Sequence, residues 1–376
     1  MADEDEALLK TPSLNVASRE LSLHRVVLAY GVDRPAQAFV ESDPVPSLQL
    51  QQKAMLEWDS LRLGLSVDGF RQRREMDSCS IELVDPMLQA KPFDLETFGA
   101  GGEGTCLIDV VRSKLSEVVG HGAVTAAGGM VIVQGLSLKQ TIEDICARCQ
   151  GHFWREGASL HLGELPKEAA VELPAVNLED VPGGILGELD IGPLPRPGSR
   201  VRLDGKTGFL ASAEVTWQAD SQARCRFIVA DRLQPVGRPH PPTGSMPLPG
   251  RVKSAEPLTV SIKAPSGEVL VDVCFTSRRL NQGKHVEQLP LSEGDELLVL
   301  CPVGGLATDI PYALPYCPTA PSQGPSSWSL DEVRIQARKW VASIEEDYEI
   351  LVKQRAILQA KGGYEAHVPS YDIKSR

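Results

Sequence analysis

Cys146 and Cys149 stand in a Cys-x-x-Cys spacing, and His152 and His161 follow a short way along the chain. Two thiolates and two imidazoles are a donor set that binds zinc tetrahedrally. The same cysteine spacing carries dithiol redox chemistry when it opens a helix, where the helix dipole lowers the thiol pKa. The surrounding residues argue against both. Ser137 reads as a helix N-cap with Gln140 at the capping-box position, and Leu138, Ile142, Ile145 and Cys149 recur at helical spacing. The cysteines therefore fall near the end of a helix, with Cys149 on its apolar stripe. Zinc pairs sit on turns and come with a second, well-spaced pair. The expected role is that of small buried core residues, so no residue is assigned as catalytic, cofactor-binding or metal-ligating. A zinc-dependent protein built on Cys146, Cys149, His152 and His161 is a competing reading, and metal content decides between them.

Other chemistry-bearing patterns are weaker. The segments AGGEGT (residues 100–105) and AGGMVIV (residues 127–133) are glycine-rich, but neither has the spacing of a phosphate-binding loop. Gly205-Lys206-Thr207 resembles the end of a nucleotide-binding motif, yet Asp204-Gly205 makes it a hairpin turn. No GxSxG, HExxH or deaminase-type signature occurs. Arg71, Arg73 and Arg74 form the densest basic run, expected to lie on a solvated loop.

Elements positioning these residues are read from composition and pattern. The 376 residues carry a net charge of −12, which disfavours phosphate backbones and anionic surfaces. Aromatics are 5%, too few for base-stacking platforms. Twenty-eight prolines and 33 glycines imply many turns, as β structure requires. The eight cysteines have no framework spacing, which fits free thiols in a reducing compartment. The acidic start MADEDEALLK is unlike a secretory signal, and no apolar run is long enough for a membrane helix. Cytoplasmic synthesis and no stable membrane insertion are expected.

Along the chain, residues 1–18 read as a flexible acidic arm. Residues 20–30 alternate as a strand, Asp68-Gly69 reads as a hairpin turn, and residues 78–86 as a strand stopped by Pro86. A helix–strand insertion follows at about residues 100–165. In it Leu107, Val110, Val111, Leu115, Val118 and Val119 predict a helix capped by Gly120, residues 130–135 a buried strand, and Glu156-Gly157 a hairpin. Residues 164–198 read as an extended connector. Strands follow up to residue 234, then a proline hinge at 235–249 that is expected to be neither helix nor central strand. Four short strands then fill residues 250–315, with a loop at Asn281. A linker covers 316–328 and a C-terminal helix 329–361, capped by Ser329 and striped by Val333, Ala337, Trp340, Ile344, Tyr348, Leu351 and Leu358. That stripe could pack on its own chain or against copies of itself. A polar, frayed tail closes the chain at 362–376.

Four segments carry a resemblance. Residues 130–164 are similar to the strand–helix–hairpin that ends a barrel subdomain in contractile-tail hub proteins, and residues 197–232 to their closing barrel strands. Residues 238–252 resemble the hinge and glycine that open an OB-like barrel, and residues 289–313 the exit of that barrel. The family is the hub–spike group: the type VI secretion valine–glycine repeat protein G, phage late control protein D, and the tailed-phage hub and spike pair. The resemblance covers about residues 20–315. It implies a mainly β fold with α insertions, hub-type β-barrels followed by an OB-like β-barrel, and a homotrimer between a tail tube and a membrane-piercing tip. Two departures stand out: the valine–glycine repeats of the family's needle are missing, and no lysozyme-like insertion separates hub and OB. The expected function is a structural, non-enzymatic baseplate hub and spike component of a phage tail or injection system, with no cofactor and no nucleic-acid partner. The competing classes are an OB-fold binding module for nucleic acid or carbohydrate, tested by salt-sensitive oligonucleotide binding, and the zinc-dependent protein above.

Overall fold

The computed structural model describes residues 11–73, 77–189, 194–219, 221–234, 239, 242–255, 257–264, 267–275, 291–315, 340–344, 348–352, 358–360, 364–366 and 371–375. The chain is mainly β, with α-helices at Leu107–Arg112 (α1) and Leu138–Cys149 (α2) among the described residues. A 13-stranded sheet runs, in hydrogen-bonded order, through residues 176–181, 184–189, 221–230, 206–218, 23–31, 34–42, 78–84, 61–73, 53–58, 13–16 and 19–21. The strands at 171–172 and 200–203 join it beside 206–218. Alternate residues along a strand share one side of the sheet. Val26, Leu28 and Tyr30 enter one apolar cluster with Val40, Ile81, Val215 and Phe227, and the cluster extends from Leu14 at one end to Leu189 at the other. Sheets of this width curl rather than stay open and flat.

Inserted between the sheet's two halves is an α/β unit. Helix α2 has the expected capping box: Ser137 Oγ accepts from the Gln140 N–H, and Gln140 Oε1 accepts from the Ser137 N–H. Its cap is the left-handed Gln150. Helices α1 and α2 bury Ile108, Val111, Ile142 and Ile145 against Phe153, Leu160 and Leu162 of the 152–156/159–163 hairpin.

The third unit has strands 244–255, 258–264, 267–272, 296–303, 312–315 and 274–275. Its hydrogen-bonded order is 267–272, 258–264, 244–255, 296–303, 312–315, 274–275. The two end strands are separated by Val273 alone. The Val273 N–H donates to Leu258 at 3.0 Å and the Cys274 N–H to Pro311 at 2.8 Å, so adjacent residues bond to opposite edges of the sheet. The chain then returns through Gly305–Ala307, which pairs with Val131–Gln134 of the α/β unit. Leu95, Met130 and Ile132 accordingly share a core with Val252, Val260 and Val299.

Several expectations are corrected. Within the expected arm, Ser13–Val16 is a strand of the large sheet; residues 1–10 lie outside the described residues. Asp68-Gly69 is not a hairpin turn but a bulge inside the strand Leu61–Arg73; a bulge and a turn use the same glycine chemistry. The helix at Leu107 stops at Arg112, and Val118–His121 is a strand, as β-branched residues favour. The 164–198 connector contains the strands Val171–Glu172, Val176–Val181 and Gly184–Leu189. Pro247 and Pro249 of the expected hinge lie inside the strand Gly244–Ala255. They fit because residues 244–249 pair with 296–303 only, and the 258–264 neighbour joins at Gly250. The C-terminal helix is replaced, at its described positions, by strands Trp340–Ile344, Tyr348–Val352 and Leu358–Ala360. Strands also occupy Tyr364–Ala366 and Tyr371–Ser375 of the expected tail. Trp, Val, Ile and Tyr crowd these segments, and such residues prefer strand geometry. Asn281, the 316–328 linker and the Ser329 cap lie outside the described residues.

Candidate functional site

The Cys/His set is divided among different surroundings. Helix α2 carries Cys146 into the α/β core with no exposed surface. Burial pushes its thiol far above the ordinary range, and nearby Asp33, Cys149 and Glu143 add to this against a backbone hydrogen bond at Gly163. The partly buried Cys149 is also raised by burial, with Arg148 opposing. Thiols held protonated are poor nucleophiles and poor ligands. His152 Nδ1 instead faces Asp33 Oδ2 at 2.6 Å, and His161 Nδ1 meets His121 Nε2 at 3.0 Å. Among the described residues no three His, Cys, Asp or Glu side chains form a group that could hold a metal ion.

What the hairpin does carry is a joint to the large sheet. Asp33 sits at positive φ in the turn between strands 23–31 and 34–42. Its N–H donates to Phe153 O at 2.7 Å, and its carboxylate accepts from the Phe153 N–H at 3.0 Å and faces His152. Two residues on, Arg155 forks onto Asp85: Nε to Oδ2 at 3.0 Å and Nη2 to Oδ1 at 2.5 Å, with side chains 4% and 1% exposed. Arg155 Nη1 also donates to Ala158 O at 2.8 Å, and Asp85 Oδ1 accepts from the Met87 N–H at 3.0 Å. Such a bidentate, fully bonded pair fixes orientation. Sequence reasoning missed Asp33, Asp85 and Arg155, because nothing local shows that residues so far apart in the chain meet.

A second joint uses the glycine loop. Gly99, Gly101, Gly102 and Gly104 all have positive φ. The N–H groups of Gly101 and Gly102 converge on the Asp272 carboxylate at 2.7 and 3.2 Å. This is an anion-cradling arrangement, filled by a carboxylate of the chain itself. Thr259 Oγ1 donates to the same carboxylate at 2.9 Å, and Thr97 Oγ1 to Leu270 O at 2.6 Å. Asp204-Gly205 forms the expected hairpin turn, both residues at positive φ, and Lys206 opens the next strand with its Nζ 3.4 Å from Asp180.

Leu297, Val299, Cys301 and Ala313 fill the core of the third unit, so their alternates line its outside. Register aligns Pro247, Leu300 and Tyr312 in one row, and Pro249, Leu298 and Leu314 in the next. Tyr312 is 57% exposed. Arg71 and Arg73 lie on strand 61–73 and not on a loop; Arg74 lies outside the described residues. The crevice lined by Phe93, Leu95, Met246, Leu248 and Lys263 measures about 240 Å³, smaller than most ligand sites. No helix among the described residues is long and apolar enough to cross a membrane.

Comparison with solved structures places this architecture. The chain has the fold of tail hub–spike proteins. An Escherichia coli component of the type VI secretion system, itself structurally similar to the T4 bacteriophage tail proteins gp27 and gp5, matches with a TM-score of 0.58 at 13% identity; the match covers 80% of this chain and 98% of that one. A chain of the Francisella PdpA–VgrG complex, in its half-lidded form, matches with a TM-score of 0.51 at 9% identity, covering 98% and 89%. No protein-family model matches the sequence, and no curated protein matches it either.

Proposed function

We propose that this chain is a structural, non-enzymatic hub and spike component of a contractile phage tail or tail-like injection machine. It assembles as a homotrimer between the tail tube and the tip. The observation that carries this reading is the order of parts in one chain. A wide sheet is interrupted by an α/β unit and followed by a small β unit, and the likeness to the Escherichia coli secretion component extends over 98% of that chain. The large sheet's halves serve as hub barrels. The small unit serves as an OB-like barrel, a reading supported by the segment 267–275, whose two short strands, separated by Val273, bond to opposite edges of one sheet. Pairing with Val131–Gln134 and the Asp272 cradle seat that barrel on the α/β unit.

The domain pattern follows: hub region from about residue 13 to 234, OB-like unit from 244 to 315, and a β-rich C-terminal segment in place of the family's repeats. The outer rows around Leu300 and Tyr312 are apolar rather than basic. They favour protein partners, other copies or tip and tube subunits, over nucleic acid. Synthesis is in the cytoplasm and the final location is the particle's baseplate. Light scattering on the purified chain across concentration tests the assembly. A mass of three chains supports the reading; a strictly single-chain mass at high concentration overturns it.

A further inference from the structure

Three aromatic rings meet on one side of the small sheet formed by strands 118–121, 159–163 and 152–156. Register places Val119 beside His161 and His121 beside Gly163 in the parallel pair, and Trp154 opposite His161 in the hairpin. His121, His161 and Trp154 therefore share a face. Their ring centroids lie 5.2 to 5.4 Å apart. The two imidazole planes differ by 12°, with Nε2 of His121 3.0 Å from Nδ1 of His161. This spacing sets the two nitrogens head to head, joined by one hydrogen. Trp154 beneath is 1% exposed, and its backbone bridges Val32 of the large sheet.

We infer that the His121–His161 pair is a proton-sensitive fastener that holds strand 118–121 and the Trp154 joint closed at neutral pH and releases them in acid. A neutral imidazole offers one donor and one acceptor, so two neutral rings make one N–H···N bond. One added proton leaves that bond in place and can rest on the Trp154 face. A second proton puts a hydrogen on both facing nitrogens. The bond is then lost and two like charges stand about 3 Å apart, a strongly repulsive arrangement in a partly desolvated site.

The nearby acids are engaged with other groups, and of them Glu156 opposes the effect only in part. Glu156 is 3.2 Å from Arg196, Glu164 is 3.3 Å from Lys167, Asp33 faces His152, and Asp85 holds Arg155. Burial lowers the pKa of His161, and His121 and Arg155 add to this against Glu156. The folded state thus binds fewer protons here than the unfolded chain does. The contribution is full above the ordinary histidine value of about 6.5 and is lost as pH falls through the lower folded value.

Hydrogen exchange on the intact protein tests this. In the wild type, amides of residues 118–121 and 160–163 are expected to exchange at least about threefold faster at pH 5.0 than at pH 7.5 after correction for the intrinsic rate, while residues 297–301 stay unchanged. His161→Asn and His121→Gln are each expected to remove that difference. Equal protection at the two pH values in the wild type, or an unaltered pH dependence in both variants, overturns the proposal. Should neither variant fold, the wild-type comparison with residues 297–301 decides alone.

Discussion

At the scale of single residues, Asp85 is a buried polar group that joins the α/β unit to the large sheet. Its carboxylate is bound twice by Arg155 and once by the Met87 N–H, with almost no access to water. Asp85→Ala leaves the guanidinium buried without its counter-charge, a loss of about 3–5 kcal/mol, to be read from the urea midpoint at unchanged slope. Gly163 is the second such point. Its φ is +114°, and a Cβ there would overlap the His121 carbonyl. Gly163→Ala is expected to cost on the order of 1–3 kcal/mol in the same measurement. Sequence pattern located Cys146 and Cys149 correctly on α2, because helical periodicity and a capping box are local signals. It could not connect His152 with Asp33 or Arg155 with Asp85, since those pairings are made by the fold and leave no periodic trace. His121, which completes the pair with His161, passed unnoticed for the same reason.

Among elements, the glycine loop and the strand at 305–307 explain how the third unit is held. Asp272→Ala empties the cradle formed by the Gly101 and Gly102 N–H groups. Faster protease cleavage within residues 99–104 is expected, with a stability loss of about 1–3 kcal/mol; equal cleavage rates would show that the loop holds its shape unaided. Strand existence was largely legible here, through alternation in residues 20–30 and through the strand-like runs at 78–86 and in the third unit. Edges and interruptions were not. Prolines 247 and 249 broke the expected strand on paper, yet the absent neighbour along residues 244–249 makes them tolerable. The acidic, irregular stretch before residue 190 hid three strands; Val176–Val181 is an edge strand with almost every residue exposed, so its apolar positions mark no buried side.

For the whole molecule, the proposed assembly makes the outer rows of the third unit the natural place to look for contacts between chains. Leu300→Asp combined with Tyr312→Asp is expected to leave the far-UV spectrum unchanged, since neither residue enters the apolar core. If those rows mediate assembly, the double variant shifts the mass toward a single chain; an intact trimer would place the contact elsewhere. The global arrangement was beyond the reach of local pattern, which gave strands and turns but not that the last unit reaches back to Val131–Gln134. That return has a practical consequence. A nick between residues 235 and 243 would sever the chain on the approach to the third unit, while Gly305–Ala307 of the C-terminal fragment stays paired with Val131–Gln134 of the N-terminal one. The halves should then travel through a column as one non-covalent pair, and separately expressed pieces should find each other and restore it.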